Sequence, residues 1–413
     1  MNMNKYILKK IMDTHIAGLF PGASVSTGLG NDNQRKYAVF SKGQTQIRVK
    51  EIDGESFFIT RAQPFTNQEL KIIHNIIQIA DEYSGLNIDT QIYLNSNSLS
   101  RMVAKSLVTK NSDSKFETFL SLIVNTLETW SAQTYEGIHI STSFGVDSSS
   151  IESENNYDRF VKEDFAKVLS NGFDTIVEFS KHGTFLGHMG LNDKNDYDST
   201  PYRYSSFAAY TAGNDKYAFI LNRNGEILVF REGKLSFAKR RGEWRLFTHD
   251  AVLKQLSFGS RKTEPELQKA IYLSALDASF ARCGGCIGFV QKSDLTKLQK
   301  KNIIKNEDWL ESGDSQKTKA LKKFIDNTKF HILDRRIRQE ILGIDGATVV
   351  DYEGNILAVG AILNISQEET ISAGGGARLA AARSLRQFGY SVKISEDGEI
   401  RAFGKSDKEF RFG

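Results

Sequence analysis

Two cysteines, four prolines and no long apolar run in 413 residues set the first limits on this chain. Cys283 and Cys286 alone exclude a disulfide scaffold. Four prolines argue against long Pro-rich linkers. No apolar run approaches the roughly 18–20 residues that span a bilayer, so no membrane partner is expected. The opening MNMNKYILKKIMD has no long apolar core followed by a small-residue cleavage site, which argues against a secretory signal and leaves a cytoplasmic protein as the default. Lys plus Arg exceed Asp plus Glu by only four (54 − 50), with the two signs mixed along the chain. Nucleic acid is therefore not an expected partner either.

What is present is globular: 40% hydrophobic and 25% charged residues, enough for a sizeable core and for two or three domains. Residues 1–20 place Tyr6, Ile7, Ile11, Ile16 and Leu19 at helical spacing. KYAVFS, TQIRVKEI and ESFFITR then alternate as strands. Thr66 and Glu69 form a capping box before the helix TNQELKIIHNIIQIADEY. This block, 1–111, is expected to be an α+β domain. A second α+β domain, 112–260, opens on the helix KFETFLSLIVNTLETWSAQ and continues in strands, with Asn224-Gly225 as its clearest hairpin turn. The third, 261–413, begins with the helix at 261–281 and the buried strand CGGCIGFV. A lysine-rich stretch and the helix HILDRRIRQEILG follow, the latter with Ile332, Leu333, Ile337 and Ile341 as its apolar face. Strands and helices alternate from there to the end. The fold class expected is α+β, mixed α/β, with a C-terminal mixed sheet flanked by helices.

The stretch 343–404 concentrates the residues able to do chemistry. Asp345-Gly346-Ala347 stands where a helix gives way to the strand TVVD. A carboxylate there can hold a divalent cation beside a phosphate, or simply cap an Asp-Gly turn. Gly374-Gly375-Gly376 precedes the helix ARLAAARSLRQFG. Small residues at a helix start admit phosphate oxygens to the first N–H groups, and Arg378 adds a charge there; the other reading is a plain loop before a helix whose alanines pack on the sheet. Cys283-Gly-Gly-Cys286 has redox or half-zinc spacing, but no second Cys pair exists and the histidines show no matching ligand spacing. Small residues packed at a strand start are the better reading.

In that order the segments of 262–405 resemble the diadenylate cyclase domain, the family that joins two ATP molecules into cyclic di-AMP. The resemblance rests on a leading helix, GGCIGFV, a variable segment, a helix, the complete DGA motif, ILNIS, a glycine-led helix and KISEDGEI. It implies a metal-binding, hydroxyl-activating role for Asp345 and a nucleotide lining of Gly346 and Ala347. Leu363 would present backbone near adenine. Gly375, Gly376, Ala377 and Arg378 would face the triphosphate, and Ser395 would lie near the phosphates. It further implies Mg2+ or Mn2+, ATP or another nucleoside triphosphate as substrate, and a homodimer or larger homo-oligomer whose two sites face each other. The region upstream looks like the sensor-type regions that precede divergent cyclase domains. Where the family carries GTRHR, however, this chain has Gly376-Ala377-Arg378-Leu379-Ala380. The threonine, the histidine and the second arginine are absent, and neither leucine nor alanine can ligate a metal or clamp a phosphate. Two functions follow: a divergent cyclase, or a catalytically inactive nucleotide-binding sensor.

Overall fold

A computed structural model describes residues 9, 12–29, 45–52, 55–82, 102–107, 114–150, 154–192, 197–213, 215–256, 264–364, 376–405 and 408–413. Gly375 and the KYAVFS run lie outside them. The chain divides into two compact units, one of Met1–Thr200 and Tyr204–Thr248, the other of Pro201–Arg203 and His249–Gly413. Both are mixed α+β.

In the first unit β1 (Ser24–Leu29), β2 (Gln46–Ile52) and β3 (Glu55–Thr60) form an antiparallel sheet, with β3 central. Helix α1 (Asn67–Glu82) starts where the sequence places it. Glu69 N–H donates to Thr66 Oγ1 (3.2 Å) and Thr66 N–H to Glu69 Oε2 (2.7 Å), a reciprocal capping box. Helix α2 (Ser114–Ser131) buries Phe119, Leu120, Ile123, Val124 and Leu127. It leads through the short hairpin β4 (Thr134–Tyr135) and β5 (Ile138–His139) into β6 (Thr142–Asp147). The crossover carries α3 (Tyr157–Phe160) to β7 (Thr175–Ser180) and β8 (Phe185–Gly190). After α4 (Ser205–Tyr210) come β9 (Lys216–Leu221), β10 (Ile227–Arg231), β11 (Lys234–Arg240) and β12 (Glu243–Leu246). The seven strands lie in the order β12-β11-β10-β9-β6-β7-β8, parallel only between β6 and β7.

The second unit has α5 (His249–Leu256), α6 (Pro265–Phe280), β13 (Gly285–Val290), α7 (Leu295–Lys300) and α8 (Gln316–Ile325). Helix α9 (Arg335–Gly343), β14 (Ala347–Asp351), β15 (Ile356–Ala361), α10 (Gly376–Leu385), β16 (Gly389–Ile394), β17 (Ile400–Gly404) and β18 (Glu409–Phe412) follow. Its sheet runs β15-β14-β13-β16-β17-β18, parallel only between β13 and β14. Helix α9 corrects one expectation. It starts at Arg335, capped by the Asp334 carboxylate on Arg336 N–H (2.9 Å). Ile332 is exposed, and the buried residues of α9 are Arg335, Arg338, Ile341 and Leu342. A buried charge is stable only when paired, and Arg335 reaches Asp277 on α6 in a two-pronged ion pair (2.5 and 2.8 Å).

The two sheets repeat one topology. Without β12, the first reads β11-β10-β9-β6-β7-β8 and the second β18-β17-β16-β13-β14-β15. Registers repeat as well. Phe144 on β6 stands opposite Val177 and Phe219; Ile287 on β13 stands opposite Thr348 and Val392. Ile227 faces Leu221 and Lys239, as Ile400 faces Ile394 and Phe412. A bulge follows Glu178 in one hairpin and Val349 in the other. The turns match in sequence too: NRNGEI at 222–227 against SEDGEI at 395–400, and GFD at 172–174 against GID at 343–345. The copies differ inside. Glu178 accepts from Tyr210 Oη (2.6 Å) and Lys216 Nζ (2.7 Å), where the second sheet has Val349, Leu385 and Gly389. Tyr210 and Leu385 are counterparts because a methyl at Gly145 would strike the one and a methyl at Gly288 the other.

Candidate functional site

The site residues foreseen in the sequence gather at the head of β13. That strand opens with Gly285, preceded by Gly284, and its alternate positions Cys286 and Val290 belong to the core that includes Leu379, Ala382 and Leu385 of α10. Two registers locate its neighbours. Ile287 stands opposite Thr348 on β14, and Gly285 opposite Ile394 on β16. Gly284, Asp345 and Ser395 each lie just beyond the same end of these three adjacent strands, in a row across the sheet. Ala361 stands opposite Ala347, so Leu363, two residues further, falls at the same end of the sheet.

Asp345 reaches this row because α9 ends at Gly343 and Ile344 turns extended. Its side chain is exposed and makes no hydrogen bond or ion pair among the described residues. The turn depends on Gly346, whose φ of +111° is closed to L side chains and whose Cβ would meet the Gly360 backbone at 2.5 Å. Gly346→Ala is therefore expected to cost about 1–3 kcal/mol. Gly343→Ala, where a methyl meets nothing within 4 Å, is expected to be neutral. Urea unfolding of the two variants checks the contrast. The strand end carrying Leu363 is tied down from the crossover. Lys317 Nζ bridges Asp308 Oδ1 (2.6 Å) and the Gly360 carbonyl (2.8 Å), while Ile362 N–H donates to Asp308 Oδ2 (3.1 Å).

Arg378 is half-buried, on the third residue of α10, behind the exposed Gly376 and Ala377. Its guanidinium lies against Gly284, where an added methyl would collide with it, and Nη1 donates to Glu396 Oε1 at 2.8 Å. Glu396 follows Ser395 in the turn after β16, where Ser395 N–H donates to the Glu399 carbonyl (2.9 Å). Asp345, Gly346, Ala347, Arg378 and Ser395 thus share one end of the sheet. Ala347 is buried as its first β14 residue. Leu379 and Ala380 are buried in the α10–sheet core. Sequence reasoning missed Gly284 and Glu396. The paired glycines before CIGFV and the acidic SED turn were the signals.

Cys286 is fully buried, and burial pushes its thiol up to about 12, with Arg378 and Lys393 opposing. Both cysteines are free. Since the thiolate is the nucleophile, iodoacetamide at about pH 8 is expected to modify the half-buried Cys283 and spare Cys286 until denaturant is added. Peptide mass mapping reads the ratio. A separate cavity of about 360 Å3 opens at the opposite end of the sheet, lined by Trp309, Lys322, Ile325, Asp351, Asn355 and Leu357 among others. None of the residues foreseen for the site lines it.

Among solved structures, a double mutant of DacA from Staphylococcus aureus is similar to this chain. It is 18% identical, covers 35% of this chain and 85% of its own, with a TM-score of 0.25. No family model and no curated protein matches. Likeness at that level assigns neither an activity nor a site.

Proposed function

We propose that the second unit binds a nucleoside triphosphate across the Asp345–Gly284–Ser395 row and acts as a divergent nucleotidyltransferase of the diadenylate-cyclase type. The observation that carries the reading is the meeting, at one end of one sheet, of an unpaired carboxylate and a guanidinium held against a glycine. Arg378 would pair with phosphate oxygens in exchange for Glu396, and Gly284 leaves room for its guanidinium. In the reaction a ribose 3′-oxygen attacks an α-phosphorus, a P–O bond forms, the bond to the β-phosphate breaks, and pyrophosphate leaves. The hydroxyl proton passes to the Asp345 carboxylate or to water. Two such steps give a cyclic dinucleotide, and facing sites would call for a homodimer or larger assembly.

Asp345 fits Mg2+ or Mn2+ shared with substrate phosphates, since such ions are commonly held by one or two carboxylates plus phosphate. No group of three metal-capable side chains occurs among the described residues. The ion would supply phosphate charge neutralisation and a more acidic hydroxyl. Control by the N-terminal region belongs to this proposal.

A second reading, nucleotide binding without turnover, is favoured by one observation: Leu379 and Ala380, which stand where the resembled motif has its histidine and its second arginine, are buried packing residues. The test incubates the full chain with ATP or GTP and Mn2+ or Mg2+ and analyses products by mass spectrometry. A cyclic dinucleotide with pyrophosphate release is expected. Saturable ATP binding with no product under any combination replaces the cyclase with the sensor. Absence of both overturns the site.

A further inference from the structure

The repeated topology exposes one difference between the sheets that the proposed chemistry does not use. In the second unit the edge strand β15 is covered. The segment 303–310 lies antiparallel to it, pairing at two points on either side of a 3-10 turn at Asn306–Asp308. Ile304 bridges Leu363, Trp309 bridges Ala358, Leu310 N–H donates to the Leu357 carbonyl (2.8 Å), and Asn364 N–H to the Ile303 carbonyl (2.8 Å). Ala358 is fully buried as a result. This cover comes from the long crossover between β13 and β14, 56 residues (291–346). The matching crossover between β6 and β7 has only 27 (148–174); among the described residues it meets β8 at its first residue, where Phe185 N–H donates to Asn156 Oδ1 (2.8 Å), and no strand pairs along Leu186–Gly190 on that side.

The bare edge is apolar. β8 reads FLGHMG, with no proline, lysine or carboxylate to discourage a further strand. Phe185 is 39% exposed, Phe165 52%, Val168 52% and Phe173 37%. Phe160 stacks on Phe185 (5.6 Å between centroids) and meets Phe165 edge-on (5.7 Å), so these three rings form one cluster on the Phe179 face of the strand. Gly187 is the counterpart of Ala358: Glu178 pairs with Gly187 just before its bulge as Val349 pairs with Ala358. A side chain at Gly187 would meet nothing within 4 Å. In the other copy Trp309 pairs with the counterpart residue, Ala358. Exposed apolar patches beside a free strand edge are where extended segments add to sheets.

We infer that the β8 edge is a docking site for a short segment of a protein partner, apolar at its two ends and polar between them, that pairs antiparallel to β8 with an aromatic side chain at Gly187. The second unit supplies the pattern of that occupant in its own sequence, IIKNEDWL. A fluorescein-labelled peptide of residues 302–312 is the probe, titrated into the full chain and followed by anisotropy. Saturable binding is expected, weakened about tenfold or more by Phe185→Glu and by Gly187→Trp, with the peptide slowing hydrogen exchange of the β8 amides. Gly187→Trp fills open space, so its far-UV circular dichroism and melting should match wild type and keep the test decisive if Phe185→Glu misfolds. No saturable binding, or binding indifferent to both substitutions, overturns the proposal. So does a wild-type dimer that Phe185→Glu converts to monomer in sedimentation, because the occupant is then a second copy of this chain.

Discussion

Asp277→Ala is expected to destabilise the second unit by about 3–5 kcal/mol, the usual cost of breaking a buried ion pair by removing one member. Asp277 and Arg335 are 3% and 4% exposed. The carboxylate takes Arg335 Nε on one oxygen (2.5 Å), and Arg335 Nη2 (2.8 Å) with the Tyr202 N–H (2.7 Å) on the other. Removing it takes the two-pronged ion pair from a buried guanidinium and leaves the Tyr202 amide without that acceptor. α9 ends at the turn that presents Asp345, so loss of nucleotide binding should accompany the loss of stability. The double change Asp277→Leu with Arg335→Met removes both charges and should recover much of the deficit. Urea unfolding of the wild type, the single variant and the pair measures this. A single variant as stable as wild type would mean that the pair is not buried in solution.

Asp345→Asn should do the opposite: large loss of activity, little loss of stability. The carboxylate is exposed and unpaired among the described residues, so folding should change by no more than about 0.5 kcal/mol. Asparagine keeps the shape but not the charge that would hold a cation against phosphate. Losing several kcal/mol of that stabilisation corresponds to roughly 10²–10⁴-fold in rate. Product formation by mass spectrometry and melting temperature, read on one preparation, separate the two effects. Unchanged product yield in Asp345→Asn removes this carboxylate from the chemistry, whatever the fate of Arg378.

Local features proved legible in the sequence when their cause was local. The Thr66–Glu69 box and the Asn224-Gly225 hairpin depend on residues a few positions apart, and both stand where expected. The turn at Asp345 was legible because glycine at 346 answers a backbone requirement. The buried face of α9 was not, because what makes Arg335 a core residue is Asp277, 58 positions upstream. The head of β13 was half legible. Asp345, Arg378 and Ser395 were foreseen, but the glycine that brings them into one row is recognisable only when three strands are in register. The repeated topology escaped for a related reason. Its copies share few identities and are separated by insertions such as β4 and β5, so the likeness resides in pairing registers more than in any continuous string.

That repetition has a consequence for how the chain folds. Two stretches with the same strand order can exchange partners before either sheet closes, giving swapped, aggregation-prone species. The internal differences act against this. If β7 entered the place of β14, Glu178 would be carried into the slot of Val349, among Ala347, Ala358 and Leu385, away from Tyr210 and Lys216. An unpaired carboxylate there would have to take up a proton or leave. The Glu178–Tyr210–Lys216 trio would thus disfavour the wrong pairing by the cost of burying that carboxylate without its partners. Refolding of Glu178→Val, which removes that carboxylate, should yield more aggregate than refolding of wild type.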